Sequence, residues 1–153
     1  MNVSINNKSV LFFKAYEDIW AAERLIIGSQ NIAVWHCTQA VEKTLKGFLQ
    51  CYDRIYDNSH ELEPLLEDVI SVVKLSDECK ANVLNLNIYK SGLRYKNMSN
   101  DPSFEDAKLA VSRTKYIMQE FNTDPKTSQY MDEAREVHTK ILKANMEKYG
   151  TPE

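Results

Sequence analysis

Apolar residues recur at steps of three and four along nearly the whole chain, which predicts helices. The first such segment runs from Ser9 to Ile27, and its apolar face consists of Phe12, Ala15, Ile19, Ala22 and Ile26. Gly28 is predicted to stop this helix in a left-handed conformation. Ser29 can then cap a second helix, from about Gln30 to Tyr52. Because the stop and the start are so close, the pattern predicts an antiparallel helical hairpin.

Two further helices are predicted after the loop that follows. The third runs from about Glu61 to Lys74, and Pro64 falls in its first turn, where a missing N–H costs little. The fourth is predicted from Ser76 to about Lys96. Gly92 lies within that segment and is expected to bend or loosen the helix there.

The last two predicted helices have clear start signals. Ser103 and Asp106 fit the S-x-x-D capping pattern, which starts a fifth helix from Phe104 to Phe121. Asp124 is the expected cap of the last helix, from about Lys126 to Lys148. Its apolar stripe is narrow and is made of Tyr130, Ala134, Val137, Ile141 and Ala144. Spacing that alternates four and three is typical of a coiled-coil seam.

These elements predict an all-α protein, an up-and-down helical bundle of about five helices with an extra C-terminal helix. The chain has 153 residues and only four glycines and four prolines, which favours long helices over many short strands. We expect residues 1–122 to form the bundle and residues 123–153 to form a C-terminal helical extension. No internal repeat or long linker interrupts the chain.

Composition limits the classes of function. A net charge of −3 argues against bulk attraction to nucleic acid, although a local basic patch is still compatible with it. The three cysteines, Cys37, Cys51 and Cys79, have no metal-like spacing and are interpreted as reduced thiols. No apolar signal region, membrane-length run, metal motif or glycine-rich phosphate loop is present, so we expect a cytoplasmic protein without metal or cofactor.

The second helix carries a polar edge on an otherwise apolar circumference. His36, Gln39 and Lys43 fall on one stripe, with Glu42 and Lys46 beside it. The helix is therefore predicted to lie at the centre of the bundle. Two interpretations of its edge stay open: the edge meets solvent, or Gln39 and Lys43 point into a groove where they hold a polar ligand or a partner.

Three segments resemble the HEPN family of small helical proteins. "AVWHCTQAVEKTLKGFL" is similar to the family's signature helix, with its aromatic residue and histidine, glutamine, A-V-E-K and second lysine. "SHELEPLL" resembles the start of the family's next helix, and "SGLRYKN" resembles its late arginine–tyrosine segment. The three occur in the family's order. The resemblance covers about Lys8 to Phe121, and the residues beyond lie outside it.

The resemblance implies an up-and-down bundle that pairs as a homodimer. Many family members act beside a minimal nucleotidyltransferase in a toxin–antitoxin unit, and others are metal-independent ribonucleases. The ribonucleases carry an arginine and, a short spacer later, a histidine at the dimer cleft. That chemistry needs a histidine to take the proton of the 2′-hydroxyl and an arginine to clamp the phosphate.

This chain departs from the ribonuclease pattern. Arg94 is followed by no histidine at the required distance, and no histidine occurs from there to Phe121. Arg54 and His60 have a suitable spacing but straddle the loop after the second helix, so they are weak candidates for a catalytic pair. Arg135 and His138 lie beyond the segment that resembles the family. We expect them to lie on an exposed edge of the last helix.

A basic and aromatic patch offers binding chemistry instead. "IYKSGLRYK" contains Lys90 and Arg94 on one helix face, with Tyr95 beside them. Lysine and arginine bind phosphates, and tyrosine rings stack on bases. The alternative is a solvated face whose tyrosines are anchored in the core. The patch suits RNA, a nucleotide or an acidic surface of a partner protein.

Three functions are therefore compatible with the sequence. The first is a non-catalytic module that binds through Lys90, Arg94 and Tyr95 and through the edge of His36, Gln39 and Lys43. The second is a ribonuclease toxin with His60 or His36 as an unconventional base. The third is a structural protein whose last helix docks on a partner. The first is favoured because the missing histidine removes the proton acceptor that cleavage needs.

Overall fold

A computed structural model describes residues 3–56, 60–89 and 101–152, and all regular structure within them is helical. A short 3₁₀ turn at Asn7–Ser9 precedes six α-helices. These are α1 (Val10–Gly28), α2 (Gln30–Cys51), α3 (Leu62–Ile70), α4 (Asp77–Asn87), α5 (Phe104–Phe121) and α6 (Ser128–Tyr149). The prediction of an all-α bundle with an extra C-terminal helix is confirmed.

Helix α2 is the centre of the bundle. It contacts α1, α3, α4 and α5, and 13 of its 22 residues are buried. A helix covered by four neighbours has little circumference left for solvent. Buried apolar residues from all six helices form one core. Its largest fully buried side chains include Phe12, Phe48 and Phe121. The predicted central position of α2 is therefore confirmed.

Ser29 makes the sharp break between α1 and α2. Its backbone is extended, with φ −160° and ψ 95°, and its hydroxyl accepts from the backbone N–H of Ile32. Gly28 was predicted as a left-handed stop, and that prediction is wrong. It is the last residue of α1 and does not adopt a positive φ. The turn therefore depends on an extended serine that caps the following helix.

The hairpin packs closely where Gly47 meets Phe12. A Cβ built at Gly47 would lie 2.8 Å from Cε1 of the Phe12 ring. Phe12 is fully buried, so its ring has little room to move aside. Gly47 therefore lets α1 approach α2 at a point where any larger residue would collide.

The structure shortens the third predicted helix. Helix α3 ends at Ile70 rather than at Lys74, and Ser71 donates its hydroxyl to the carbonyl of Asp68. Val72 and Val73 still pack against the core from the turn that follows. Their apolar side chains extended the helical pattern in the sequence past the true end. The fourth helix was predicted to reach about Lys96, but α4 ends at Asn87, and Ile88 and Tyr89 form a turn. Residues 90–96, with Gly92, lie outside the described residues.

Helix α5 begins as predicted. The Ser103 hydroxyl accepts from the backbone N–H of Asp106 at 3.0 Å, and the Asp106 carboxylate accepts from the backbone N–H of Ser103 at 2.9 Å. This reciprocal pair satisfies two backbone donors that a helix start leaves open. The capping box inferred from the sequence is confirmed.

Helix α6 packs on the outside of the bundle, against α1 and the 3₁₀ turn. Met131, Ala134 and Val137 are its buried residues. Of the predicted stripe, Ala134 and Val137 are buried, whereas Tyr130, Ile141 and Ala144 are half-buried. The second half of α6 is therefore less covered than the first.

Candidate functional site

The polar edge of α2 faces α1, where it meets a buried carboxylate. Asp18 Oδ1 lies 2.9 Å from His36 Nδ1, and Asp18 Oδ2 accepts from the ammonium group of Lys43. Asp18 is only 7% exposed, whereas the side chains of His36 and Lys43 are partly accessible. Two of the three residues on the predicted stripe thus have a partner in the same chain. We call Asp18, His36 and Lys43 the α1–α2 charge cluster.

The local sequence explains how Asp18 reaches this place. Ala15 and Ala22 flank Asp18 at steps of three and four on α1, and both are fully buried. Their small side chains let α2 come close enough for His36 and Lys43 to reach the carboxylate. A buried charge is costly unless it is paired and hydrogen-bonded, and both conditions hold here. Sequence reasoning missed Asp18, although a charged residue between two alanines of an apolar face was an available signal.

Glu42 forms a second buried charged group on α2. The sequence placed it beside the polar edge, but it is only 5% exposed. Its Oε2 lies 3.1 Å from the ammonium nitrogen of Lys46 and 3.4 Å from Nδ1 of His60. The His60 side chain is 82% exposed, so this contact sits at the protein surface. His60 therefore lies against a carboxylate just before α3.

The other predicted site residues are not gathered into one place. Gln39 is half-buried on the same edge of α2. Arg54 is exposed beyond the end of α2, and no hydrogen bond or ion pair in the described part of the chain joins it to His60. Lys90, Arg94 and Tyr95 lie outside the described residues.

The three cysteine thiols are buried, and their raised pKa values keep them unreactive near neutral pH. Cys37, Cys51 and Cys79 are free and buried. Burial raises the pKa of Cys37 and Cys79 to about 12 and that of Cys51 to about 11. Nucleophilic attack needs the thiolate, which such pKa values keep scarce near neutral pH. The cysteines therefore act as small core residues, as predicted for Cys37.

Arg135 and His138 diverge on α6. The half-buried His138 ring meets the Phe13 ring edge-on, with centroids 5.9 Å apart. Burial is the main cause that lowers the pKa of His138 below 6.5. Arg135 instead donates to Asp132 at 3.1 Å on the exposed side. The two side chains therefore lie in different surroundings and do not form a pair.

The structure describes residues 3–56, 60–89 and 101–152. These ranges contain no group of three or more histidine, cysteine, aspartate or glutamate side chains that could hold a metal ion. No helix there combines the length and the apolar character needed to cross a bilayer.

The chain belongs to the HEPN domain family, whose model matches residues 9–124. The match includes all of α1 to α5 and ends before α6. No curated protein and no solved structure matches the chain. At the level of the family, membership supports a helical module related to nucleotides and RNA. The resemblance inferred from the three sequence segments is thus confirmed.

Proposed function

We propose that this HEPN protein is a non-catalytic binding module that recognises a nucleotide, an RNA or the surface of a nucleotidyltransferase partner. We further propose that it works as a homodimer in a toxin–antitoxin-like unit. The proposed contact segment is the basic and aromatic one that contains Lys90, Arg94 and Tyr95. Lysine and arginine neutralise phosphates, and a tyrosine ring stacks on a base.

The arrangement of the histidines carries the non-catalytic part of this proposal. The chain has three histidines. His36 and His60 lie against the carboxylates of Asp18 and Glu42, and His138 packs on Phe13. In the described part of the chain, none of them is hydrogen-bonded to an arginine. Cleavage in the family's ribonucleases pairs a histidine with an arginine, and loss of a general base typically costs about 10²–10⁴-fold in rate. The absence of such a pair among the described residues supports binding over cleavage.

Salt-dependent retention of a labelled RNA oligonucleotide tests the binding function. We expect Lys90→Ala combined with Arg94→Ala to weaken retention and to reduce its salt dependence by about two phosphate contacts. The matched control is Lys140→Ala combined with Lys143→Ala, which removes the same charge from exposed positions on α6. Equal retention by wild type and the Lys90/Arg94 variant, or an equal loss in the control, would contradict the proposed contact.

One observation favours ribonuclease activity as a second candidate. Asp18 Oδ1 lies 2.9 Å from His36 Nδ1, and a carboxylate in that position orients an imidazole and stabilises its protonated form. His36 would then be the base. Purified protein incubated with total RNA decides between the two functions. If wild type cleaves the RNA and His36→Ala does not, the protein is a ribonuclease and the proposed binding function is wrong. If wild type leaves the RNA intact, the result supports the binding function.

The same incubation with total RNA tests Arg54 and His60 as a catalytic pair. Arg54→Ala and His60→Ala should leave the RNA profile identical to that of wild type if the protein only binds. Cleavage that both substitutions abolish would show that these two residues act together despite the loop between them. Light scattering on the same preparations tests the homodimer, for which we expect twice the mass of one chain.

A further inference from the structure

A groove between α1, α5 and α6 lies on a different face of α1 from the α1–α2 charge cluster. It encloses about 360 Å³ and draws its lining from all three helices. Ligand sites in proteins start at about 300 Å³, so the volume suits one small molecule. Its lining includes the ion pair of Lys115 with Glu23, and it also includes Tyr16 and Arg135.

The floor of the groove is apolar and one wall is aromatic. Ile19 and Met118 are both lining residues and are at least nine-tenths buried. Tyr16 is half-buried beside them, and its pKa is raised mainly by burial, with the charge of Arg135 acting in the opposite direction. A thioether and a phenol ring both make favourable contacts with aromatic rings. The body of a bound molecule is therefore best matched by a flat ring.

The charged side chains that line the groove carry a net charge of +1. Two cationic side chains and one carboxylate line it, and the Lys115 ammonium nitrogen is paired with Glu23 at 2.9 Å. Arg135 is bound to Asp132 of its own helix, and both side chains are more than half exposed. An exposed pair of this kind is worth at most about 1 kcal/mol, so an oxyanion can compete for the guanidinium. Arginine binds carboxylates and phosphates through two parallel donors.

Asn122 is a further polar residue of the groove. Its Oδ1 is buried without a hydrogen-bond partner in the described part of the chain. Buried polar atoms are normally paired. Because Oδ1 is an acceptor, it can take a hydrogen bond from a donor on a bound molecule, but it does not contribute to the binding of an oxyanion.

We infer that this groove binds a small aromatic oxyanion, with its ring on Ile19 and Met118 beside Tyr16 and its carboxylate or phosphate on Arg135. The site depends on α6, which begins after the residues that the family model matches. It therefore gives the C-terminal helix a role that the HEPN bundle alone does not have. The inference is independent of RNA or partner binding through Lys90 and Arg94.

Chemical-shift titration of the full-length, ¹⁵N-labelled protein tests the site with three probes: phenyl phosphate, benzoate and inorganic phosphate. The first two separate a phosphate from a carboxylate, and the third lacks a ring. We expect saturable shifts at Ile19, Met118 and Arg135 with at least one aromatic probe. Inorganic phosphate should bind more weakly by about tenfold because it cannot use the apolar floor.

Two variants sharpen the titration. Arg135→Gln should raise the Kd of the aromatic probe by about tenfold, because one charged contact is lost. Lys140→Gln removes the same charge from the same helix outside the groove and should leave the Kd unchanged. The Lys90→Ala plus Arg94→Ala protein should also bind the probe normally, which separates this site from the proposed function.

Several results would overturn the inference. Shifts that fail to saturate with both aromatic probes would remove the site. Inorganic phosphate that binds as well as phenyl phosphate would reduce it to a simple charge contact. An equal effect of Arg135→Gln and Lys140→Gln would show that net charge, and not the groove, attracts the anion.

Discussion

Helix α1 has two neighbours that it meets in different ways. Against α2 it presents the buried carboxylate of Asp18, which holds His36 and Lys43, and it approaches closely enough that Gly47 touches Phe12. Against α6 it borders two open grooves, and both are lined by a mixture of apolar and acidic residues of α1. The first contact is specific in charge and shape, whereas the second contains few buried residues of α6.

The two contacts constrain the chain to different degrees. The α1–α2 contact lies wholly within the residues that the HEPN model matches, and α6 lies beyond them. A paired buried charge tolerates few changes, because removing one partner strands the other. A half-covered helix leaves space for a ligand. We therefore expect substitutions at the first contact to affect stability and those at the second to affect binding.

The largest expected effect comes from Asp18→Ala. This change leaves Lys43 and His36 without their carboxylate. Both side chains are partly accessible to water, so we expect a loss typical of a charged hydrogen bond, about 1.5–3 kcal/mol. Chemical denaturation should show this loss in the free energy of unfolding. Glu17→Ala on the same helix is the control, because its pair with Lys14 is exposed and should contribute at most about 1 kcal/mol. Similar losses in the free energy of unfolding of both variants would mean that the buried Asp18 contributes no more than an exposed carboxylate.

A smaller effect is expected from Gly47→Ala. Overpacking a buried contact costs about 1–3 kcal/mol, and the better helix propensity of alanine returns about 1 kcal/mol. We therefore expect a net loss on the order of 1 kcal/mol in the free energy of unfolding. Gly28→Ala is the matched control, because nothing lies within 4 Å of the added carbon and φ is not positive. A Gly47→Ala protein as stable as the control would mean that α1 and α2 lie farther apart.

The smallest expected effect is a pH dependence at the α1–α6 contact. Burial lowers the pKa of His138 in the folded protein below the 6.5 of the free side chain. The unfolded chain therefore takes up a proton first as the pH falls through 6.5, so stability decreases toward acid pH. His138→Gln should reduce this slope in denaturation curves measured between about pH 5 and 8. An unchanged slope would place His138 in a more solvated position.

Much of the fold was accessible from the sequence because its helices follow regular apolar spacing. The bounds of α5 were predicted to the residue, and those of α1 and α2 to within one. The end of α3 was missed because Val72 and Val73 pack on the core from a turn, and periodicity alone does not distinguish a turn from a helix. Met131 was missed for a related reason, since the predicted stripe of α6 began one residue earlier.

The site was less accessible because its chemistry depends on contacts between distant residues. The stripe of His36 and Lys43 was visible on α2, but the partner lies 18 and 25 residues away. Asp18 stands among other acidic residues in "AYEDIWAAE", where only its position between Ala15 and Ala22 marks it as buried. Glu42 likewise looked like a surface residue until its burial was seen. Charge patterns show which residues are polar, and packing decides which of them are enclosed.

Asp18 ties the polar edge of α2 to α1 through its contacts with His36 and Lys43. A double-mutant cycle on Asp18→Ala and Lys43→Ala, read out as the free energy of unfolding, tests it most directly. We expect the two changes to be coupled by about 1–3 kcal/mol, because each alone already breaks the same buried pair. Additive losses, within about 0.5 kcal/mol, would contradict the claim and return Lys43 to an independent place on the surface.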